Sequence, residues 1–205
     1  MSEILSRVSN YYTGKVKEHG FDSKGVDWNS KESQFLRFDK LSEAFLGNHS
    51  FSLLDYGCGT GTLVEYLESK ENDFNYHGYD ISEEMTRLAA SKFISPKVTF
   101  SNTLPDRKFD YVVASGLFNV KLQFDTKDWQ NYILETLDSF NEISEKGFAF
   151  NVLTSYSDKE KQRADLYYAD PLELFDLCKR KYSRFVSLVH DYPLYEFTII
   201  VRKNI

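Results

Sequence analysis

The chain predicts an α/β domain built on a mostly parallel sheet with helices on both faces, and three observations predict it. Short, nearly continuous apolar runs at residues 51–54, 109–114 and 148–153 suit strands buried on both faces. Between them, apolar residues recur at three- and four-residue steps, as on the buried side of a helix: Leu63, Val64 and Leu67, then Met85, Leu88, Ala89 and Phe93, then Trp129, Ile133, Leu137 and Phe140. Glycines at 57, 59 and 61 follow the first run, so the backbone can turn sharply there and let a ligand approach closely. The length of 205 residues fits one domain with a full sheet.

Composition narrows the partners. The chain has 31 acidic against 25 basic residues, a net charge of −6, which argues against a phosphate-neutralising surface and hence against a nucleic-acid partner. No apolar stretch reaches membrane-spanning length and the first residues lack a secretory signal pattern, so a cytoplasmic protein with no membrane partner is expected. Two cysteines, Cys58 and Cys178, make neither a disulfide framework nor a zinc site, and no metal is expected. The 14 tyrosines and 17 phenylalanines exceed what a sheet core needs, so some are expected to line a pocket.

Residues 1–28 combine weak periodicity with glycines at 14, 20 and 25 and with Tyr11, Tyr12, His19 and Trp28. They read either as a flexible arm or as a lid over a binding site. Asn29 or Ser30 then caps a helix carrying Phe35, Phe38, Leu41 and Phe45; Arg37 on it is a candidate partner for a ligand carboxylate, or a solvated surface arginine. The first strand ends at Asp55 and the second, 75–80, ends at Asp80, 21 positions after Gly59. An acid at a second-strand tip can accept hydrogen bonds from both hydroxyls of a ribose. Ser82 caps the next helix with Glu83 and Glu84 in its first turn.

Residues 97–100 form a third strand and 109–114 a fourth, whose exit through Ser115, Gly116, Asn119 and Lys121 faces the ligand-binding edge. A long helix over 127–143 leads to a fifth strand at 148–153, and Tyr156 lies in its exit. The charged run 159–165 ends in Tyr167 and Tyr168, either a solvated face or a substrate-side insertion. Asp170 caps a helix with Pro171 at its first position. Two final strands at 186–190 and 195–201 flank a short turn around Pro193, which makes them antiparallel, with His190 and Tyr192 beside that turn.

The run Asp55-Tyr56-Gly57-Cys58-Gly59-Thr60-Gly61 resembles the first motif of class I S-adenosylmethionine (SAM) dependent methyltransferases. A dinucleotide fingerprint would place its third glycine one position later, where Thr62 stands. The segments Gly25–Trp28, 115–121 and 166–171 are further similar to small bacterial methyltransferases of unassigned substrate. The resemblance implies a Rossmann-like, seven-stranded, mostly parallel sheet with a C-terminal antiparallel hairpin, the methyltransferase domain spanning 29–205 behind the 1–28 arm. It implies SAM as cofactor, held by Asp55, Gly57, Cys58, Gly59, Gly61, Asp80, Ile81, Met85, Asn102, Thr103, Leu104, Ser115, Gly116 and Arg37. In the family an acid near residue 102 holds the adenine amino group; here Asn102 offers a side-chain carbonyl instead.

Methyl transfer needs alignment, exclusion of water and management of one proton. His19, His190 and Tyr168 are candidate bases and Asn119 a candidate catalytic residue; Tyr11, Tyr12, Trp28, Lys121, Tyr156, Tyr167 and Tyr192 are candidate substrate contacts. No Asn-Pro-Pro-Tyr motif is present, so an oxygen or nitrogen of a small polar metabolite, such as a sugar or related compound, is the expected acceptor for a monomer or homodimer. The rivals are a nicotinamide-dependent oxidoreductase, a non-catalytic SAM-binding partner or sensor of the same fold, and a protein or RNA methyltransferase.

Overall fold

Seven strands pair into one sheet in the order β3-β2-β1-β4-β5-β7-β6 in a computed structural model that describes residues 2–19, 30–48, 50–71 and 73–203. The strands are β1 (Ser50–Tyr56), β2 (Asp73–Tyr79), β3 (Val98–Ser101), β4 (Phe109–Ala114), β5 (Ser144–Leu153), β6 (Phe185–Val189) and β7 (Glu196–Arg202). β1 to β5 are parallel, and β7 pairs antiparallel with both β5 and β6. The chain winds outward from β1 to β3, then returns to place β4 on the other side of β1. That reversal opens a crevice at the carboxyl ends of β1 and β4, where open α/β sheets bind ligands.

Among the described residues, six helices cover the sheet: α1 (Ser2–His19), α2 (Lys31–Ser42), α3 (Thr62–Ser69), α4 (Glu83–Lys92), α5 (Thr126–Ile143) and α6 (Pro171–Lys181). Side-chain caps set four of their starts: Ser30 accepts from Ser33 N, Ser82 from Met85 N, Asp125 from Lys127 N and Asp170 from Leu172 N and Glu173 N. The apolar stripe of α5 buries Trp129, Tyr132, Ile133, Leu137 and Phe140 in the core on one face of the sheet, with Phe118, Phe148 and Phe150. Phe38, Leu41, Phe45, Leu63, Val64 and Leu67 fill the core on the other face, against Leu53, Tyr111 and Ala149.

The described part of the N-terminal segment, read from the sequence as either a flexible arm or a lid, is a packed helix. Residues 2–19 are helical because Ile4, Val8 and Val16, four and eight positions apart, form a buried stripe that its polar neighbours dilute in the sequence. Ile4 and Val8 join the α5-side core, and burying each contributes about 1.5–3 kcal/mol. Gly14 is tolerated mid-helix because its Cα faces open space. Trp28 and the rest of residues 20–29 lie outside the described residues, as does the side chain of His19.

Candidate active site

The glycine turn after β1 is folded over the tip of β2. The N–H groups of Gly57 and Cys58 both donate to the carbonyl of Tyr79, at 2.7 and 3.0 Å. Gly57, Gly59 and Gly61 have φ of +83°, +53° and +81°, a left-handed path that a side chain at each position would strain. The path brings the backbone of the turn to Asp80. Oδ2 of Asp80 accepts the Gly59 N–H at 2.9 Å and Oδ1 accepts the Ser82 N–H, also at 2.9 Å. Burial raises the Asp80 pKa while the two N–H groups oppose that shift. Each carboxylate oxygen keeps a lone pair for a further donor.

Asp55, at the end of β1, is buried and accepts the Tyr76 hydroxyl at 2.7 Å. Its pKa is pushed up to about 7, chiefly by burial, with the charge of Asp80 adding to the effect and the Tyr76 bond opposing it. Cys58 lies beside the two acids. Burial raises its thiol pKa well above the ordinary value, and Sγ points at the Gly59 carbonyl, so it fills space rather than reacting.

A cleft opens above these groups. Gly57, Cys58, Gly59, Asp80, Ile81 and Met85 form one side, and Ser115, Gly116, Leu117 and Asn119 form the other. Leu5, Val8 and Tyr12 of α1 form a roof, tied to the β2 exit by Thr13 Oγ1···Ser82 Oγ at 2.8 Å and by Ser9 Oγ donating to the Ile81 carbonyl. Ser115 Oγ is buried without a hydrogen-bond partner among the described residues, although its residue lines the cleft. Such an atom calls for a ligand donor or acceptor. Two carboxylates and no lysine, arginine or histidine line the cleft among the described residues.

The family model for the methyltransferase domain matches residues 18–184. The chain belongs to the methyltransferase family. A Mycobacterium tuberculosis protein (strain ATCC 25618 / H37Rv) named as a methyltransferase, Rv1506c, is 52% identical over 155 residues, covering 75% of this chain and 93% of its own. Among solved structures, the magnesium protoporphyrin IX methyltransferase of Synechocystis PCC 6803 with bound SAM has a TM-score of 0.67 at 14% identity, covering 98% of this chain and 97% of that one. The DhpI-SAM-HEP complex has a TM-score of 0.68 at 16% identity, covering 96% of this chain and 97% of that one. At these identities the two structures speak for the fold, which is that of class I SAM methyltransferases.

Of the residues expected to hold the cofactor, the methyltransferase brings Asp55, Gly57, Cys58, Gly59, Asp80, Ile81, Met85, Ser115 and Gly116 to the cleft. Gly61 stands behind it as the N-cap of α3. Asn102, Thr103 and Leu104 are exposed at the end of β3, outside the cleft lining. Arg37 is not aimed at a ligand: its guanidinium is buried on Glu196, and Gln34, one turn earlier on α2, lines the cleft instead.

The acceptor-side candidates divide more sharply. Tyr12 and Asn119 line the cleft, Asn119 with its Oδ1 held by the Leu153 N–H at 3.1 Å; Tyr11 packs edge-on against Tyr12 and is not part of the lining. His190 is exposed between the rings of Tyr156 and Phe197, and the hydroxyl of Tyr168 accepts the Arg163 N–H, so neither reaches the cleft. Tyr156 is 68% exposed. Tyr167 is buried with its hydroxyl on Gln130, Tyr192 is buried with its hydroxyl on Thr198, and Lys121 caps the Phe124 carbonyl.

Three tyrosines that sequence reasoning passed over do line the cleft. Tyr56 and Tyr79 sit directly opposite each other in the β1–β2 register, with ring centroids 4.7 Å apart, and Tyr132 of α5 joins them. Burial raises the pKa of all three, so they are hydroxyl donors rather than phenolates. Tyr56 and Tyr79 each adjoin a site acid in sequence, a signal that could have found them. Tyr132 has no comparable local mark.

Proposed function

We propose that this methyltransferase moves a methyl group from SAM to an oxygen or nitrogen of a small polar metabolite by in-line displacement. The observation that carries the proposal is the pairing of Asp80 with the glycine turn: its carboxylate is anchored by Gly59 and Ser82, and both oxygens keep capacity for the hydroxyls of a ribose.

The rest of the cleft agrees in chemistry. SAM, when bound, supplies an electrophilic methyl on a sulfonium. Asp55 offers negative charge beside the turn for the cationic end of that ligand, and Ser115 Oγ offers an unsatisfied hydroxyl. Leu5, Val8 and Tyr12 exclude water above it, and Asn119, fixed by β5, presents an amide to the acceptor side. Holding the reactants in line is where such a site gains most of its rate, on the order of 7–11 kcal/mol in favourable cases. A lining of two carboxylates and no basic side chain among the described residues favours a neutral or cationic acceptor over an anionic one. An amine acceptor would release its proton to water after transfer and require no base from the cleft.

Calorimetry with S-adenosylhomocysteine and NAD side by side tests the cofactor. Micromolar binding of the former, no binding of the latter and loss of binding in Asp80→Ala are expected. Preference for NAD, or undiminished affinity in Asp80→Ala, would sink the assignment. A screen of metabolite extracts for methyl transfer from labelled SAM then identifies the acceptor; binding without turnover on any fraction would favour a sensor.

A further inference from the structure

Behind the cleft, a chain of polar side chains crosses the core from α2 to the turn after β4. Arg37 donates through Nε to Oε1 of Glu196 at 2.6 Å and through a second nitrogen to the same oxygen, while its remaining nitrogen caps the Ser33 carbonyl. The two side chains are 8% and 2% exposed. The other oxygen of Glu196 accepts from Asn151 Nδ2 at 2.8 Å, and Asn151 Oδ1 accepts the backbone N–H of Gly116 at 2.6 Å. Gly116 has φ +68° and lines the cleft next to Ser115. Four elements far apart in sequence are thus joined by one line of hydrogen bonds.

An ion pair this deep is poor evidence of a stability role, because apolar residues of similar volume often hold such a place as well or better. What apolar residues cannot do is fix the direction of an amide. Two nitrogens of Arg37 donate to Glu196, and a carboxylate only accepts. Asn151 must therefore turn its NH₂ toward Glu196, which leaves its carbonyl oxygen facing the Gly116 N–H. We propose that Arg37, Glu196 and Asn151 are positioning residues: through the polarity of one buried amide they hold the Ser115–Gly116 turn where the reacting end of the ligand binds. The proposal rests on the methyl-transfer reading for the identity of that ligand.

Glu196→Gln tests it with almost no change of shape. Arg37 claims the one remaining carbonyl oxygen, the new NH₂ faces Asn151, and the Asn151 amide reverses to set NH₂ against the Gly116 N–H. Adding Asn151→Asp restores the order, since that carboxylate accepts from both the new amide and Gly116. Titration of S-adenosylhomocysteine is expected to give a Kd raised about tenfold in Glu196→Gln and returned to within about threefold of wild type in the double variant. Amide exchange of the 115–117 segment in the ligand-free protein reads the same device without any ligand: faster in Glu196→Gln, restored in the double variant. Unchanged exchange and affinity in a folded Glu196→Gln, or a folded double variant with neither restored, overturns the proposal. Failure of the wild type to bind S-adenosylhomocysteine overturns the cofactor reading instead and leaves the exchange experiment to decide this one. If Glu196→Gln does not fold, the double variant decides alone: wild-type affinity and exchange support the relay, and impaired values refute it.

Discussion

Tyr76 donates its hydroxyl to Asp55 at 2.7 Å inside a core that holds Asp55 near neutrality, with a pKa of about 7. The folded value lies above the unfolded one, so between pH of about 4 and about 7 the folded state binds more protons. The contribution of Asp55 to stability is therefore greatest at low pH, declines through that window and stays low above it. Asp55→Asn keeps an acceptor for Tyr76 and removes the ionisation. Its melting temperature is expected to exceed that of wild type at pH 8, by a stability difference of a few kcal/mol at most, with the gap closing toward pH 4. Thermal scans across a buffer series measure this; a gap that is constant with pH would show that Asp55 is ionised throughout.

The same carboxyl links pH to ligand binding. A ligand bearing a sulfonium and an ammonium favours the ionised form, so SAM affinity is expected to rise between pH 5.5 and 7.5, by up to about tenfold per unit in the steepest part. In Asp55→Asn the profile flattens at a weaker affinity. Calorimetry at several pH values decides it, and a flat wild-type profile would separate Asp55 from the cationic end of the ligand.

Gly78 lies on β2 opposite Asp55, beneath the motif. A Cβ at this position would stand 2.5 Å from Phe100 and 2.8 Å from Cys58 Sγ. Gly78→Ala should destabilise the fold by roughly 1–3 kcal/mol through overpacking. It should also weaken S-adenosylhomocysteine binding, because the Cys58 turn must move. Adding Phe100→Leu removes the nearer obstacle and is expected to recover most of the loss in urea melts; an undamaged single variant would mean the core there is slack.

What the sequence disclosed of this site was what local chemistry marks. Strand-tip acids, glycines and helix caps act through neighbours a few positions away, and Asp55, Asp80, Ser82 and Asp170 stand where their patterns place them. The fold followed from the alternation of buried runs and helical stripes. What stayed hidden depends on long-range register. Arg37 meets a carboxylate 159 positions away, Tyr79 comes under Tyr56 only through the pairing of β1 with β2, and Tyr132 arrives on a helix whose periodicity announces burial but not a cleft. His190 illustrates the opposite error, since a strand end on the functional edge still turned its ring outward against Tyr156.

The α1 roof should set how long a ligand stays. The shorter of its two polar ties to the β2 exit is the 2.8 Å bond between Thr13 and Ser82, the residue that also caps α4 directly after Asp80. Thr13→Val keeps the shape of the helix surface and removes the hydroxyl, leaving the Ser82 cap of Met85 intact. A single such bond is worth about 0.5–1.5 kcal/mol, so dissociation of S-adenosylhomocysteine is expected to quicken by roughly two- to tenfold while association changes little. Stopped-flow chase with unlabelled ligand measures the off-rate. An unchanged rate would mean that Leu5, Val8 and Tyr12 hold the roof by packing alone, and that the Thr13 bond follows closure rather than securing it.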